Sequence, residues 1–199
     1  MSLWTEQFGN DYTKRQSNTV DAREQIWRML LPTDCQSVLE VGANIGANLE
    51  AIGRLTDCEL YASEPNDLAR EELINGGYVA PSHVNDDFAD NLKWPDNVAD
   101  LAITSGLLIH IPPHKLLASM NEIHRCAKRW IISAEYFAPS EEMIPYRGHK
   151  DALWRRDYGS LWLDNFTDLR CTSVIFAWKR ITGLDNLTFW VFEKGPKRH

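Results

Sequence analysis

No stretch of the sequence approaches the roughly 18 consecutive apolar residues that a membrane-spanning helix requires, so no membrane partner is expected. The opening Met1-Ser2-Leu3-Trp4-Thr5-Glu6 lacks the basic and then apolar order of a secretory signal. Positive charge is scarce: 21 Lys and Arg stand against 28 Asp and Glu, for a net charge of −7. A surface that holds nucleic acid needs the opposite balance, because phosphates are neutralised by clustered cations. Cysteine is sparse as well. Cys35, Cys58, Cys126 and Cys171 lie far apart, with no CxxC or Cys/His ligand spacing, which speaks against zinc and for free thiols in a reducing compartment. Together these absences predict a soluble, cytoplasmic protein without a metal.

What is present fits an ordinary globular chain. At 199 residues, 44% hydrophobic and 25% charged, the length suits one domain over 1–199 with a sizeable core and no disordered tract. A helix is expected over Ser17–Leu31, with Asn18 as its cap and Pro32 as its stop. Ser37–Val41 reads as a strand, followed by a glycine loop and a helix whose Ile45, Leu49, Ile52 and Leu55 share one face. Glu59–Ser63 reads as the second strand. A helix then runs over Asp67–Ile74, closed by Asn75-Gly76-Gly77, which tolerate a left-handed turn. Ser82–Asn85 is a weak third strand and Asp100–Thr104 a fourth, apolar enough to be buried on both faces of a parallel sheet. Pro112-Pro113 open a helix with Leu116, Leu117, Met120, Ile123 and Ala127 as its stripe, and Trp130–Ala134 is the fifth strand.

A Pro- and charge-rich loop follows over 137–151, then a helix over Tyr158–Phe166 and two β-prone runs, Thr172–Trp178 and Leu187–Glu193. Two successive strands joined by a short turn pair antiparallel. The expected architecture is therefore α/β, a mostly parallel sheet whose last strand is antiparallel, divided into an N-terminal arm and helix (1–31), a core (35–136) and a C-terminal part (137–199).

The most informative run is Leu39-Glu40-Val41-Gly42-Ala43-Asn44-Ile45-Gly46-Ala47-Asn48-Leu49. It places Gly42 and Gly46 at a strand-to-helix turn, where a ligand meets the backbone most closely. Glu64 closes the next strand, 24 positions after Glu40, where an open α/β sheet sets an acid against a ribose diol. Asp86 and Asp87, past the third strand, are both placed to accept from an adenine amino group; spacing does not choose between them. A phosphate loop would need Gly-Lys-Ser/Thr, and here Ala47-Asn48 follow Gly46 with no cation. A dinucleotide loop would read GxGxxG, and position 44 is Asn, which leaves NAD as the competing ligand. The competing structural reading is a Rossmann-like domain whose acids are only solvated strand ends.

Glu40-x-Gly42-x-x-x-Gly46, Glu64, and Asp100-Leu101-Ala102 followed by Gly106-Leu107-Leu108-Ile109-His110-Ile111 resemble the ordered motifs of class I methyltransferases. That resemblance implies a Rossmann-like sheet of seven strands, the last antiparallel, with helices on both faces and S-adenosylmethionine as cofactor. The residues it would place around the cofactor are Tyr12, Arg15, Glu40, Gly42, Asn44, Gly46, Glu64, Pro65, Asp86, Asp87, Ser105 and Gly106. Arg15 would pair with the methionyl carboxylate. More specifically, Phe8–Arg15, Gly106–Ile111 and Ile144–Asp151 resemble the methylases associated with pseudaminic acid biosynthesis. That family implies a small-molecule acceptor, a nonulosonic acid or a nucleotide-sugar intermediate, methylated at oxygen or nitrogen.

Methyl transfer from a sulfonium is an in-line displacement, so positioning and exclusion of water dominate, and a base is needed only if the acceptor must lose a proton. His110, after the fourth strand, has an unperturbed pKa near 6.5 that suits that task; alternatively it only caps the loop before Pro112-Pro113. Glu135 and Tyr136 end the fifth strand at the same rim. Glu135 is a second catalytic candidate, with a solvated strand end as its alternative. Tyr146-Arg147-Gly148-His149-Lys150 gathers three cation-capable side chains in an acidic protein, so Tyr136, Tyr146, Arg147, His149 and Lys150 are candidates for holding an anionic acceptor. An NAD-linked oxidoreductase and a non-catalytic binding module are the rival functions. The oligomeric state has no sequence signature.

Overall fold

The computed structural model describes residues 3–14 and 19–195. Its strands are β1 (Ser37–Val41), β2 (Glu59–Ser63), β3 (Val84–Asn85), β4 (Ala99–Ser105), β5 (Ala127–Glu135), β6 (Glu142–Met143), β7 (Trp154–Arg155), β8 (Leu169–Ala177) and β9 (Leu187–Lys194). The helices are α1 (Gln7–Thr13), α2 (Val20–Leu30), α3 (Ala47–Leu55), α4 (Asp67–Asn75), α5 (Pro113–Cys126), α6 (Tyr158–Asn165) and α7 (Lys179–Thr182).

Seven strands form one sheet in the order β3-β2-β1-β4-β5-β9-β8, and β6 pairs with β7 in a separate ribbon. β1 to β5 run parallel, while β9 lies antiparallel between β5 and β8. The period of two along β1 sends alternate side chains to opposite faces. Val38 packs in a core with Trp27 of α2 and Leu49 and Ile52 of α3. Leu39 and Val41 pack in a second core with Met120 and Ile123 of α5 and Trp162 of α6. Helices thus cover both faces, and the chain changes direction across the sheet between β1 and β4. That is where the carboxyl ends of strands in such sheets leave a crevice for ligands.

Several boundaries differ from the sequence reading. α2 begins at Val20 behind Thr19, and the expected cap Asn18 lies outside the described residues. Pro81–His83 form a 3₁₀ turn, which leaves β3 only two residues. Ala127, expected on the stripe of α5, starts β5 instead: its backbone is extended, and the Lys194 ammonium binds the carbonyls of His124 and Ala127 at 2.9 and 2.7 Å, closing the helix there. The turn between β8 and β9 contains α7, and the 137–151 loop carries β6. Among the described residues no helix is long and apolar enough to cross a membrane, and no cluster of three metal-ligating side chains occurs.

Candidate functional site

The crevice begins at the turn after β1. Gly42, Asn44 and Gly46 take left-handed backbone angles, with φ of +73°, +47° and +79°. Glycine adopts these freely and asparagine tolerates them, which is why Asn44 stands where a dinucleotide loop has glycine. The turn is fastened to β2: the Gly42 N–H donates to the Ser63 carbonyl at 2.8 Å, and the Asn44 N–H donates to Glu64 Oε2 at 2.8 Å. Glu64 Oε1 accepts from the Asn66 N–H at 2.8 Å. Burial raises the Glu64 pKa against these two backbone bonds.

A cavity opens over this turn. Gly42, Asn44, Glu40, Glu64 and Pro65 line it from the β1 and β2 side, Ser105, Gly106 and His110 from the end of β4, and Tyr12 from α1. Of the two adjacent acids only Asp87 faces it. Asp87 is buried, accepting from the Lys93 N–H at 2.8 Å, whereas Asp86 is exposed and paired with the Lys93 ammonium at 2.7 Å, which lowers its pKa. Gly46 does not reach the cavity. Its missing side chain makes room for Leu73 of α4, whose Cγ would stand 3.1 Å from a Cβ there. Arg15 lies outside the described residues.

Glu40 is 1% exposed, and burial raises its pKa to about 8 despite a bond from Asn48 Nδ2 at 2.6 Å and the nearby Arg23 charge. Its second oxygen, Oε2, is buried without a hydrogen-bond partner. Sequence reasoning missed Arg23 and Asn48, both of which line the cavity. One signal was present: Asn48 is a polar residue four before Ile52, on the stripe that otherwise points into the core.

A second cavity adjoins the first and shares Tyr12, Arg23, Ser105, Gly106 and His110 with it. Tyr136, Tyr146, Arg147 and Asp185 complete its polar lining, and the Tyr136 hydroxyl donates to Asp185 Oδ2 at 3.0 Å. His149 and Lys150 are exposed and line neither cavity; the His149 ring packs on Phe8, 4.9 Å between centroids.

His110 stands where the cavities meet, in a ring cluster with Trp4 at 4.3 Å and Tyr146 at 5.6 Å. Its Nδ1 lies 2.6 Å from the Ala152 carbonyl oxygen. A carbonyl only accepts, so Nδ1 carries the proton and Nε2 keeps its lone pair. Burial lowers the His110 pKa to about 4, outweighing that hydrogen bond. Glu135, expected at the rim, is instead fully buried beneath this turn. It accepts from Thr104 Oγ1 at 2.9 Å and from the backbone N–H groups of Leu108 and Ile109 at 3.1 and 3.3 Å. It lines neither of these two cavities, and its hydrogen bonds tie down the turn that carries His110; burial raises its pKa to about 7.

This sheet order, with its crevice at the β1–β4 switch, is the fold of the S-adenosylmethionine-dependent methyltransferases. The chain is similar to a SAM-dependent methyltransferase from Thermotoga maritima described as a possible histamine N-methyltransferase: TM-score 0.68 and 16% identity, over 98% of this chain and 100% of that one. It is also similar to 1,6-didemethyltoxoflavin-N1-methyltransferase of Burkholderia thailandensis, solved with its acceptor and S-adenosylhomocysteine (TM-score 0.69, 14% identity, 94% and 82% covered). Magnesium protoporphyrin IX methyltransferase of Synechocystis, solved with SAM, matches with TM-score 0.66 and 16% identity over 97% and 94% of the two chains. No family model and no curated protein sequence matches the chain.

Proposed function

We propose that the protein is an S-adenosylmethionine-dependent methyltransferase acting on a small polar acceptor, built as one domain over residues 1–199. The observation that carries this reading is the cavity over the β1 turn, lined by Glu40, Glu64 and Asp87 and free of any phosphate-binding cation on the turn itself. The donor is a cation with an ammonium and a sulfonium, and it suits a wall that holds three acids and an unpartnered buried carboxylate oxygen. Glu40, Glu64 and Asp87 would hold its amino, ribose and adenine ends. Bound there, S-adenosylmethionine supplies the methyl group.

The second cavity is the proposed acceptor site. Arg147 and Tyr146 would hold an anionic group, and the Tyr136–Asp185 pair would orient a hydroxyl. His110, neutral, offers Nε2 as a hydrogen-bond acceptor to the incoming O–H or N–H and turns its lone pair toward the donor. The acceptor we favour is a nonulosonic acid or nucleotide-sugar intermediate, supported by the sequence resemblance at Phe8–Arg15, Gly106–Ile111 and Ile144–Asp151. Calorimetric titration tests the donor assignment: S-adenosylhomocysteine should bind and NADH should not. The reverse result would make the protein an NAD-linked oxidoreductase.

A further inference from the structure

Cys35 and Cys58 stand 23 positions apart in the chain and meet where β1 and β2 begin. Ser37 lies opposite Glu59 in the parallel register, and the Glu59 N–H donates to the Gln36 carbonyl at 2.8 Å, so the two strand entries are held side by side. Asp100 pins the first of them by accepting from the Gln36 N–H at 2.9 Å. The Cys58 thiol donates to the Cys35 carbonyl at 3.1 Å, and the Cys35 thiol donates to the Ser37 carbonyl at 3.4 Å. Burial, and after it the closeness of Cys58, push the Cys35 thiol up to about 12. One strand spacing of about 4.8 Å and one residue step of about 3.3 Å set the two Cα atoms about 6 Å apart, inside the roughly 4.4–6.8 Å that a disulfide spans. Both are free thiols, and both line a cavity with Arg28, Pro32 and Leu55, at the opposite end of the strands from the donor crevice.

We propose that Cys35 and Cys58 are a modification site that closes to a reversible disulfide when it meets a small disulfide such as glutathione disulfide. Cys58, the less buried of the two, attacks first as its thiolate: its sulfur bonds one sulfur of the oxidant, and the other leaves as glutathione. The Cys35 sulfur, its proton lost to water, then bonds Cys58 Sγ and expels the second glutathione. Two thiols have given up two electrons and two protons, and one disulfide has become two thiols. Capping Cys58 also removes the neighbouring charge that opposes ionisation of Cys35, so the first step favours the second. The closed ring, residues 35–58, contains β1, the Gly42–Gly46 turn and α3. The bond therefore staples the segment that carries the donor turn, and it restricts that segment in the unfolded chain.

Trypsin separates the two cysteines, because it cuts after Arg28, Arg54 and Arg70 and no other Lys or Arg lies between. Protein equilibrated with glutathione disulfide, alkylated with N-ethylmaleimide in denaturant and digested should yield the peptide 29–54 joined to the peptide 55–70, with Cys126 and Cys171 alkylated. Dithiothreitol should release the pair, and the oxidised protein should run as a single chain in non-reducing electrophoresis. It should also melt about 5–10 °C higher than the reduced protein. Cys35→Ser and Cys58→Ser should each abolish the linked peptides and the melting shift, and Cys171→Ser neither. Should Cys35→Ser fold poorly, Cys58→Ser at the less buried position carries the same comparison. Four alkylated cysteines, a glutathione adduct that stays on Cys58, a link through Cys126 or Cys171, or a linked protein that melts no higher overturns the proposal. These readouts need no bound donor, so they stand or fall apart from the donor assignment.

Discussion

Leu107 lies against the bare face of Gly42: a Cβ built on that glycine would stand 2.7 Å from Leu107 Cδ1. The turn after β1 is thus bare for two reasons, its left-handed backbone at φ +73° and the leucine that closes over it from the end of β4.

Gly42→Val should therefore abolish S-adenosylhomocysteine binding, because a branched side chain meets both the strain and the leucine. Gly42→Ala in a Leu107→Ala background relieves the contact but keeps the backbone strain of about 1–2 kcal/mol. Titration and melting curves on the pair separate the two causes. Undiminished binding by Gly42→Val would show that the turn does not hold the ligand.

His110 should stay neutral through the physiological range. Its pKa of about 4 lies below the unfolded value near 6.5, so as pH falls the unfolded chain takes up the proton first. This contribution to stability is present above about pH 6.5 and lost toward pH 4. Nitrogen-15 NMR of the ring should show Nδ1 protonated and no titration between pH 8 and pH 6. A midpoint near 6.5 would restore His110 as an ordinary general base.

Glu40 has a pKa of about 8 in the cavity and is mostly protonated at pH 7. An arriving ammonium favours the carboxylate, so binding should release a proton to the buffer. Calorimetry at pH 7 should read a more exothermic enthalpy in Tris than in phosphate, and Glu40→Gln should erase the difference. Identical enthalpies with the wild-type protein would mean that no cation reaches Glu40.

Glu135 bears on stability more directly. Its folded pKa of about 7 exceeds the unfolded value, so its contribution is full below about pH 4.5 and is lost as pH rises through 7. Glu135→Gln lacks one acceptor for the Thr104, Leu108 and Ile109 donors and should melt lower, by about 1–2 kcal/mol. The deficit should shrink between pH 5 and pH 8. A deficit that grows with pH would reverse the assignment.

Much of the scaffold was legible in the chain. The β-prone run Ser37–Val41 and the near-continuous apolar run Asp100–Thr104 specify strands of a covered sheet, and the successive β8 and β9 runs specify the antiparallel end. The turn glycines and Glu64 were legible because a left-handed bend and a strand-tip acid have few alternative uses. Arg23 and Asn48 were not, since they lie 25 positions apart and only the packing of α2 and α3 on one face of the sheet brings them together. Glu135 was misplaced because strand alternation gives the face of a side chain and says nothing of the turn that folds down over its end.

The sequence by itself determined the order of strands and helices and the bend after β1, because these follow from local periodicity and backbone freedom. Only the tertiary structure decided which acids face the cavity, which tautomer His110 holds and what stands between Arg23 and Glu40. Those depend on contacts between segments far apart in the chain, where burial and hydrogen-bond geometry, not residue type, set charge and orientation.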